Sequence, residues 1–326
     1  MTAAPAIAPV TRARRFGFAQ LVRGGAAVWI VVVALVIGLT IAKGAAFWAP
    51  ANLSTVLTAT IVLGLVALGQ HLVVLTGGID LSVGSTATLT ALLTAVIIDA
   101  YPIRVIPTLL GAIIVGLVVG FVNGILVSKA KLPPFIVTLA TFYIVQGVAL
   151  VVSSTPAGKV TSDLTGFALG RFGPIPYSFI VLLVAIAVVA LLLGRTAWGR
   201  HVYAVGGDPK AARSVGIDSN RVLVGVYVAS GILAAVAGIL LASRASIGSP
   251  TAGQGLELSA ITVVVIGGTS LMGGRGSLVG TLGGVLLLSL VSSSITLLQM
   301  PSTLTDLIRG AVIVIAATLF VMKAKQ

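Results

Sequence analysis

Seven carboxylates, two histidines and no cysteine stand among 326 residues, and their positions limit the chemistry available. Without cysteine there is no thiolate nucleophile, thiol metal site or disulfide. With two histidines in all, a histidine-based metal site is not expected. No G-x-x-x-x-G-K-[ST] phosphate loop occurs: Gly158-Lys159 is followed by Val160 and lacks the earlier glycine. H-E-x-x-H, an EF-hand loop and a nucleophile triad are absent as well. What remains is a set of polar residues inside apolar runs: Gln70, His71, Asp80, Asn123, Gln146, Glu257 and Arg309. Ionisable groups near lipid cost about 2.5–3.5 kcal/mol on insertion scales, so such residues have a partner or a task. A carboxylate in the first turn of a helix caps free N–H groups and offsets the dipole, or it lines a passage. Both readings fit Asp80 and Glu257. The amides of Gln70, Asn123 and Gln146 suit a hydroxylated solute or helix-to-helix hydrogen bonds. His71 reads as a hydrogen-bond partner between helices, or as a ligand or proton carrier. Arg309, three residues after Asp306, fits a local pair or a snorkelling side chain. The chemistry on offer is non-covalent.

The elements that must position these residues are membrane helices. Hydrophobic residues make up 58% of the chain and charged residues 8%, with mean hydropathy +1.18, against roughly 25% charged in soluble domains. That composition excludes a soluble catalytic, nucleotide-hydrolysing or receptor domain on this polypeptide. A span needs about 20 apolar residues, and ten runs qualify: Gly25–Ala42, Leu53–Thr76, Val83–Ile98, Val105–Val127, Phe135–Val152, Tyr177–Leu193, Val222–Ala242, Leu256–Leu271, Ser277–Gln299 and Leu304–Met322. The third and eighth are short and come after glycine-rich stretches. Gly111, Gly116, Gly120 and Gly124 in the fourth read as a helix-packing run. No linker divides the chain, so the expectation is one all-α polytopic membrane domain over residues 1–326.

The formal charge of +13 has a topological explanation. With the N-terminus inside, Lys43, Arg104, Lys159, Arg171 and Arg244 fall in outside loops and Arg309 in the last segment. The other fourteen basic residues fall inside, obeying the positive-inside rule. Nucleic-acid binding is therefore not expected. Residues 1–24 read as a cytoplasmic tail, and the first segment as a retained anchor in preference to a signal peptide cleaved near Gly44–Ala46.

Gly78-Ile79-Asp80-Leu81-Ser82 and Gly255-Leu256-Glu257-Leu258-Ser259 share a pattern of glycine, aliphatic, acid, leucine, serine. They lie five segments apart, and an odd shift reverses orientation, which is the mark of an inverted repeat. A rival alignment pairs Gly77-Gly78 with Gly267-Gly268. It rests on glycines, which are common here. Between the two halves lies the hydrophilic stretch 194–221. Asp208-Pro209 is a helix start, with an N-cap and proline at the first position. It predicts a short helix over Lys210–Val215 stopped by Gly216, suited to act as a lever for a partner.

Four stretches carry a family resemblance: TGGIDLSVGS (Thr76–Ser85), NGILVSKAKLPPFIVTLAT (Asn123–Thr141), GRHVYAVGGDPKAARSVGI (Gly199–Ile217) and ELSAITVVVIGGTSLMGGRGSLVGT (Glu257–Thr281). In order and over nearly the whole chain, they resemble the permease subunit of bacterial ribose-type ABC sugar importers. The resemblance implies a ten-helix importer fold working as a pair of permease subunits, in the bacterial inner membrane with both termini cytoplasmic. It implies two cytoplasmic ATPase subunits that use ATP and Mg, no cofactor on this chain, and an extracytoplasmic sugar-binding protein. It places the coupling segment at Asp208, Pro209, Ala211, Ala212 and Gly216, with Lys210 and Asp208 departing from the family's usual acid and asparagine. Gln70-His71 stands where relatives more often have less polar residues. The alternatives are a secondary transporter or facilitator acting alone, a membrane protein with no transport role, and a permease of the branched-chain amino-acid type.

Overall fold

A backbone in lipid must satisfy its own N–H and C=O groups, so uncharged apolar runs of spanning length become helices. The computed structural model describes residues 25–300 and Gly310. The described helices are α1 (Ala26–Lys43), α2 (Ala45–Trp48), α3 (Pro50–Leu75), α4 (Ser82–Ile98), α5 (Val105–Ser128), α6 (Pro134–Val152), α7 (Ser162–Leu169), α8 (Phe179–Arg195), α9 (Ala197–Gly207), α10 (Pro209–Ser214), α11 (Ser219–Ala245), α12 (Leu256–Ile266) and α13 (Leu278–Leu297). The two-residue strands β1 (Arg171–Phe172) and β2 (Ile175–Pro176) pair antiparallel. Each of the first nine expected segments finds its helix. The tenth, Leu304–Met322 with Arg309, and the tail 1–24 lie outside the described residues.

Among the described residues, α3, the stretch Pro102–Ser128, α6, α11 and α13 are long and apolar enough to cross a membrane. The pair α8 and α9 qualifies together but is bent by 73°. α4 and α12, of 17 and 11 residues, are shorter. The protein is an all-α, multi-pass membrane protein.

Two expectations need correcting. The eighth segment stops at Ile266, five residues early, because Gly267-Gly268 ends the helix and Gly268 takes φ +87°. Stretch 194–221 holds a second helix, α9, opened by Thr196, whose hydroxyl accepts the Gly199 N–H at 3.2 Å.

The long helices α3 and α11 form the centre and run antiparallel. Arg244 donates to the Thr58 carbonyl at 3.4 Å, and further along Gly69 lies against Ser230. Each central helix packs on the pair of helices that comes after the other: α11 on α4 and α5, and α3 on α12 and α13. This exchange between antiparallel units is the inverted repeat in three dimensions, and it obeys the acid-bearing alignment. Gly116, Gly120 and Gly124 press against the α11 backbone at Gly231, Tyr227 and Val224. Gly111 has nothing within 4 Å, so it does not share in that packing. Outside the centre, α5 and α6 leave Ile106, Leu110, Ile114, Ile136 and Ile144 exposed, an apolar surface suited to lipid.

Candidate functional site

The first break, between α3 and α4, is a buried polar network. Asp80 is 1% exposed and lies two residues before α4, outside the first turn where the sequence suggested it. Its Oδ1 still accepts the first helical N–H, from Ser82 at 3.0 Å, and the Ser82 hydroxyl at 2.6 Å. Its Oδ2 accepts from Ser230 of α11 at 2.8 Å. Ser82 accepts in turn from the Asn123 amide of α5 at 2.9 Å, and Asn123 accepts from Thr141 of α6 at 2.6 Å. The Gln70 amide, oriented by its surroundings, donates to the Asp80 carbonyl at 2.9 Å and accepts the Asp80 N–H at 3.3 Å. Beside it the buried Tyr227 hydroxyl fills the space where Gly78 would carry a Cβ, 2.6 Å away. Five helices are thus tied at one carboxylate, and both of its oxygens are used.

The second break, between α11 and α12, begins with Ser246 at φ +62°. The chain then turns back alongside α4. Gly248 exchanges backbone hydrogen bonds with Ala157 at 2.8 and 3.0 Å. Gln146 donates to the Pro250 carbonyl at 2.8 Å, and the Gly253 N–H reaches Thr88 of α4 at 3.0 Å. Glu257, in the first turn of α12, accepts the Gly255 N–H at 3.2 Å with Oε1, while its buried Oε2 has no hydrogen-bond partner among the described residues. That carboxylate lies where a Cβ on Gly84 would be, so the two half-length helices begin close together inside the bundle. Beyond Glu257, α3, α11, α12 and α13, with the 251–255 loop and Gly310, border an open cavity of about 830 Å³, lined among the described residues by aliphatic and hydroxyl side chains and the Gln254 amide.

His71 lies in the last two turns of α3, fully buried. Its Nδ1 is 2.9 Å from the Thr281 hydroxyl and 3.1 Å from that of Thr269, and Nε2 has no partner among the described residues. Among the described residues no group of acids and histidines is placed to hold a metal.

The lever helix α10 forms as its cap predicts. Asp208 Oδ1 accepts the N–H of Lys210 at 2.8 Å and of Ala211 at 3.1 Å, with Pro209 at the first position. Gly216, at φ +84°, ends it, and the Ile217 N–H returns to the Ala212 carbonyl at 3.0 Å. Ala212 is buried while Ala211 and Val215 are exposed. Just before α10, Gly206 sits directly on the Leu75 carbonyl, which also accepts the Gly274 N–H at 2.9 Å. A Cβ on Gly273 would meet the Gly77 nitrogen at 2.8 Å. The end of α9, the first break and the loop after α12 therefore touch backbone to backbone.

Of the seven polar residues singled out in the sequence, Arg309 lies outside the described residues, and Gln70, His71, Asp80 and Asn123 are completely or almost completely buried among helices. Gln146 holds the second break, and Glu257 stands between the cavity-lining residues Leu256 and Leu258. Sequence reasoning missed the cavity hydroxyls of Ser259, Thr262, Ser289 and Ser292. Their three-residue spacing was the available signal. It also missed the glycine contact at Gly206, Gly273 and Gly274.

The family model described as "Branched-chain amino acid transport system / permease component" matches residues 52–317. The chain is 40% identical over 278 residues to the ribose import permease protein of Bacillus subtilis (strain 168), covering 84% of this chain and 85% of that one. It is 36% identical to the fructose import permease protein of Rhizobium meliloti, covering 89% and 83%. It is 34% identical to the L-arabinose ABC transporter permease protein of Azospirillum brasilense, covering 95% and 91%. No solved structure matches it. Although the family is described by amino-acid transport, these relatives are sugar permeases. The chain belongs to this permease family, on the side of the ribose-type ABC sugar importers, and is a multi-pass membrane subunit of transport.

Proposed function

We propose that the chain works as one of a pair of permease subunits that pass a monosaccharide or related polyol into the cytoplasm. An extracytoplasmic binding protein delivers the solute, and two cytoplasmic ATPase subunits supply the energy with ATP and Mg, none of which this chain binds as a cofactor. Both termini and the stretch 194–221 lie in the cytoplasm of a bacterium, with lipid around the single domain of residues 1–326. The charge distribution supports this orientation.

The observation that carries the proposal is the capped helix α10, seated through buried Ala212 and set beside the glycine contact with the first break and the loop after α12. ATP-driven closure of the ATPase pair pushes on Asp208–Gly216. Rigid backbone contact passes that push through Gly206 to Leu75 and Gly77, and through Gly274 to the loop after α12. The starts of α4 and α12 then shift together, and the paired subunits rock between inward- and outward-open forms. In this scheme Asp80, Asn123, Gln70 and His71 hold the moving pieces in register, Gln146 anchors the second break, and Glu257 gates it.

The test separates coupling from folding. In reconstituted vesicles holding the permease, ATPase and binding protein, Ala212→Asp and Gly216→Val are expected to abolish ATP-driven uptake while the complex still hydrolyses ATP. Full uptake in both variants sinks the coupling assignment.

A further inference from the structure

We infer that His71 is the positioning residue that makes the glycine contact beside the lever rigid: its imidazole and the Leu75 carbonyl, one turn apart on α3, hold the loop after α12 at two points. The inference deepens the ATP-driven permease reading and rests on it.

His71 and Leu75 are four residues apart, so they share a face of α3 and stand about 6 Å apart along its axis. The Leu75 carbonyl takes the Gly274 N–H at 2.9 Å and carries Gly206 against it. His71 reaches Thr269, earlier in the same loop, at 3.1 Å, and Thr281 near the start of α13 at 2.9 Å. The loop itself is closed. Ser270 donates its N–H to the Arg275 carbonyl at 2.9 Å, and Gly273 donates to the Ser270 carbonyl at 3.0 Å. Gly267 lies backbone to backbone against Gly280 and Thr281, so the end of α12, the loop and the start of α13 form one piece. A single hydrogen bond between that piece and α3 is a pivot. Two, a turn apart, form a clamp. A push entering at Gly206 then displaces α3 and the α12–α13 corner together, and neither tilts about the other.

Burial argues that the imidazole serves this contact. His71, Thr269 and Thr281 are at most 2% exposed. The ring's Nε2 has no partner among the described residues, and a buried polar group left unpaired is unfavourable. A leucine fills such a place without that penalty. What a leucine lacks is Nδ1. Either neutral tautomer serves, since a hydroxyl donates to a bare Nδ1 or accepts from a protonated one. The neighbouring Gln70 is engaged elsewhere, with the Asp80 backbone at the first break. Two successive residues of α3 thus address the two halves of the molecule.

The test reads the ATP hydrolysed per sugar imported by the complete reconstituted importer, with whichever of D-ribose, D-fructose or L-arabinose wild type takes up. His71→Leu is expected to raise that ratio about tenfold, the scale of one hydrogen bond. Asn carries its amide near the place of Nδ1, and Gln near that of Nε2. His71→Asn is therefore expected to recover most of the coupling and His71→Gln little of it. Thr269→Val with Thr281→Val is expected to match His71→Leu, and adding His71→Leu to that pair to raise the ratio no further. If His71→Leu does not assemble, the Asn and Gln variants carry the comparison. A wild-type ratio in His71→Leu, or equal ratios in His71→Asn and His71→Gln, overturns the clamp and leaves the permease reading standing. Sugar uptake by wild type that proceeds without ATP overturns the permease reading and the clamp together.

Discussion

The two helix breaks carry the same five-residue pattern and end in different surroundings. At the first, Asp80 is sealed inside the bundle with both oxygens occupied by Ser82 and Ser230. At the second, Glu257 is half-buried, has one oxygen without a partner among the described residues and borders the cavity. One extra methylene and a one-turn difference in position separate a carboxylate with both oxygens bonded from one with a single oxygen bonded among the described residues. A repeat thus supplies two copies of a device, and loss of symmetry in the surrounding side chains gives them different environments.

The largest effect is expected at the sealed carboxylate. Asp80→Ala strips an acceptor from three donors, each about 1–3 kcal/mol if left unsatisfied. The yield of monodisperse, detergent-solubilised protein should collapse, with Asp80→Asn recovering part of it. Next comes Gly206→Val, whose new side chain meets only backbone at Leu75 and Gly274. Uptake should be lost while ATPase activity persists, which would place the first break under control of the lever. Glu257→Gln should change thermal stability by less than about 1 kcal/mol yet alter the uptake rate. A stability loss matching that of Asp80→Asn would erase the contrast between the breaks. The smallest effect separates two glycines of one run: Gly120→Ala should destabilise through the Tyr227 carbonyl, whereas Gly111→Ala should be neutral or stabilising by about 0.5–1 kcal/mol.

The spanning helices were legible because lipid imposes a simple length rule on uncharged sequence, and α10 because Asp208-Pro209 is a cap with a geometric cause. α9 was hidden by its three glycines and its polar mixture, and a tertiary seat beside Leu75 holds it helical. Asp80 and Glu257 were recognisable as a matched pair from the rarity of acids. Their different environments depend on Ser230 and Gly84, contributed by other helices, and no local pattern reveals them.

The central claim is that passage lies in this chain and power lies in its partners. The most direct measurement is D-ribose, D-fructose and L-arabinose uptake into vesicles, comparing the chain alone with the chain reconstituted with its ATPase and binding protein. The expected result is no accumulation by the chain alone and ATP-dependent accumulation of at least one of these sugars by the full assembly. Concentrative uptake by the chain alone, or uptake by the assembly that ignores ATP, would contradict it.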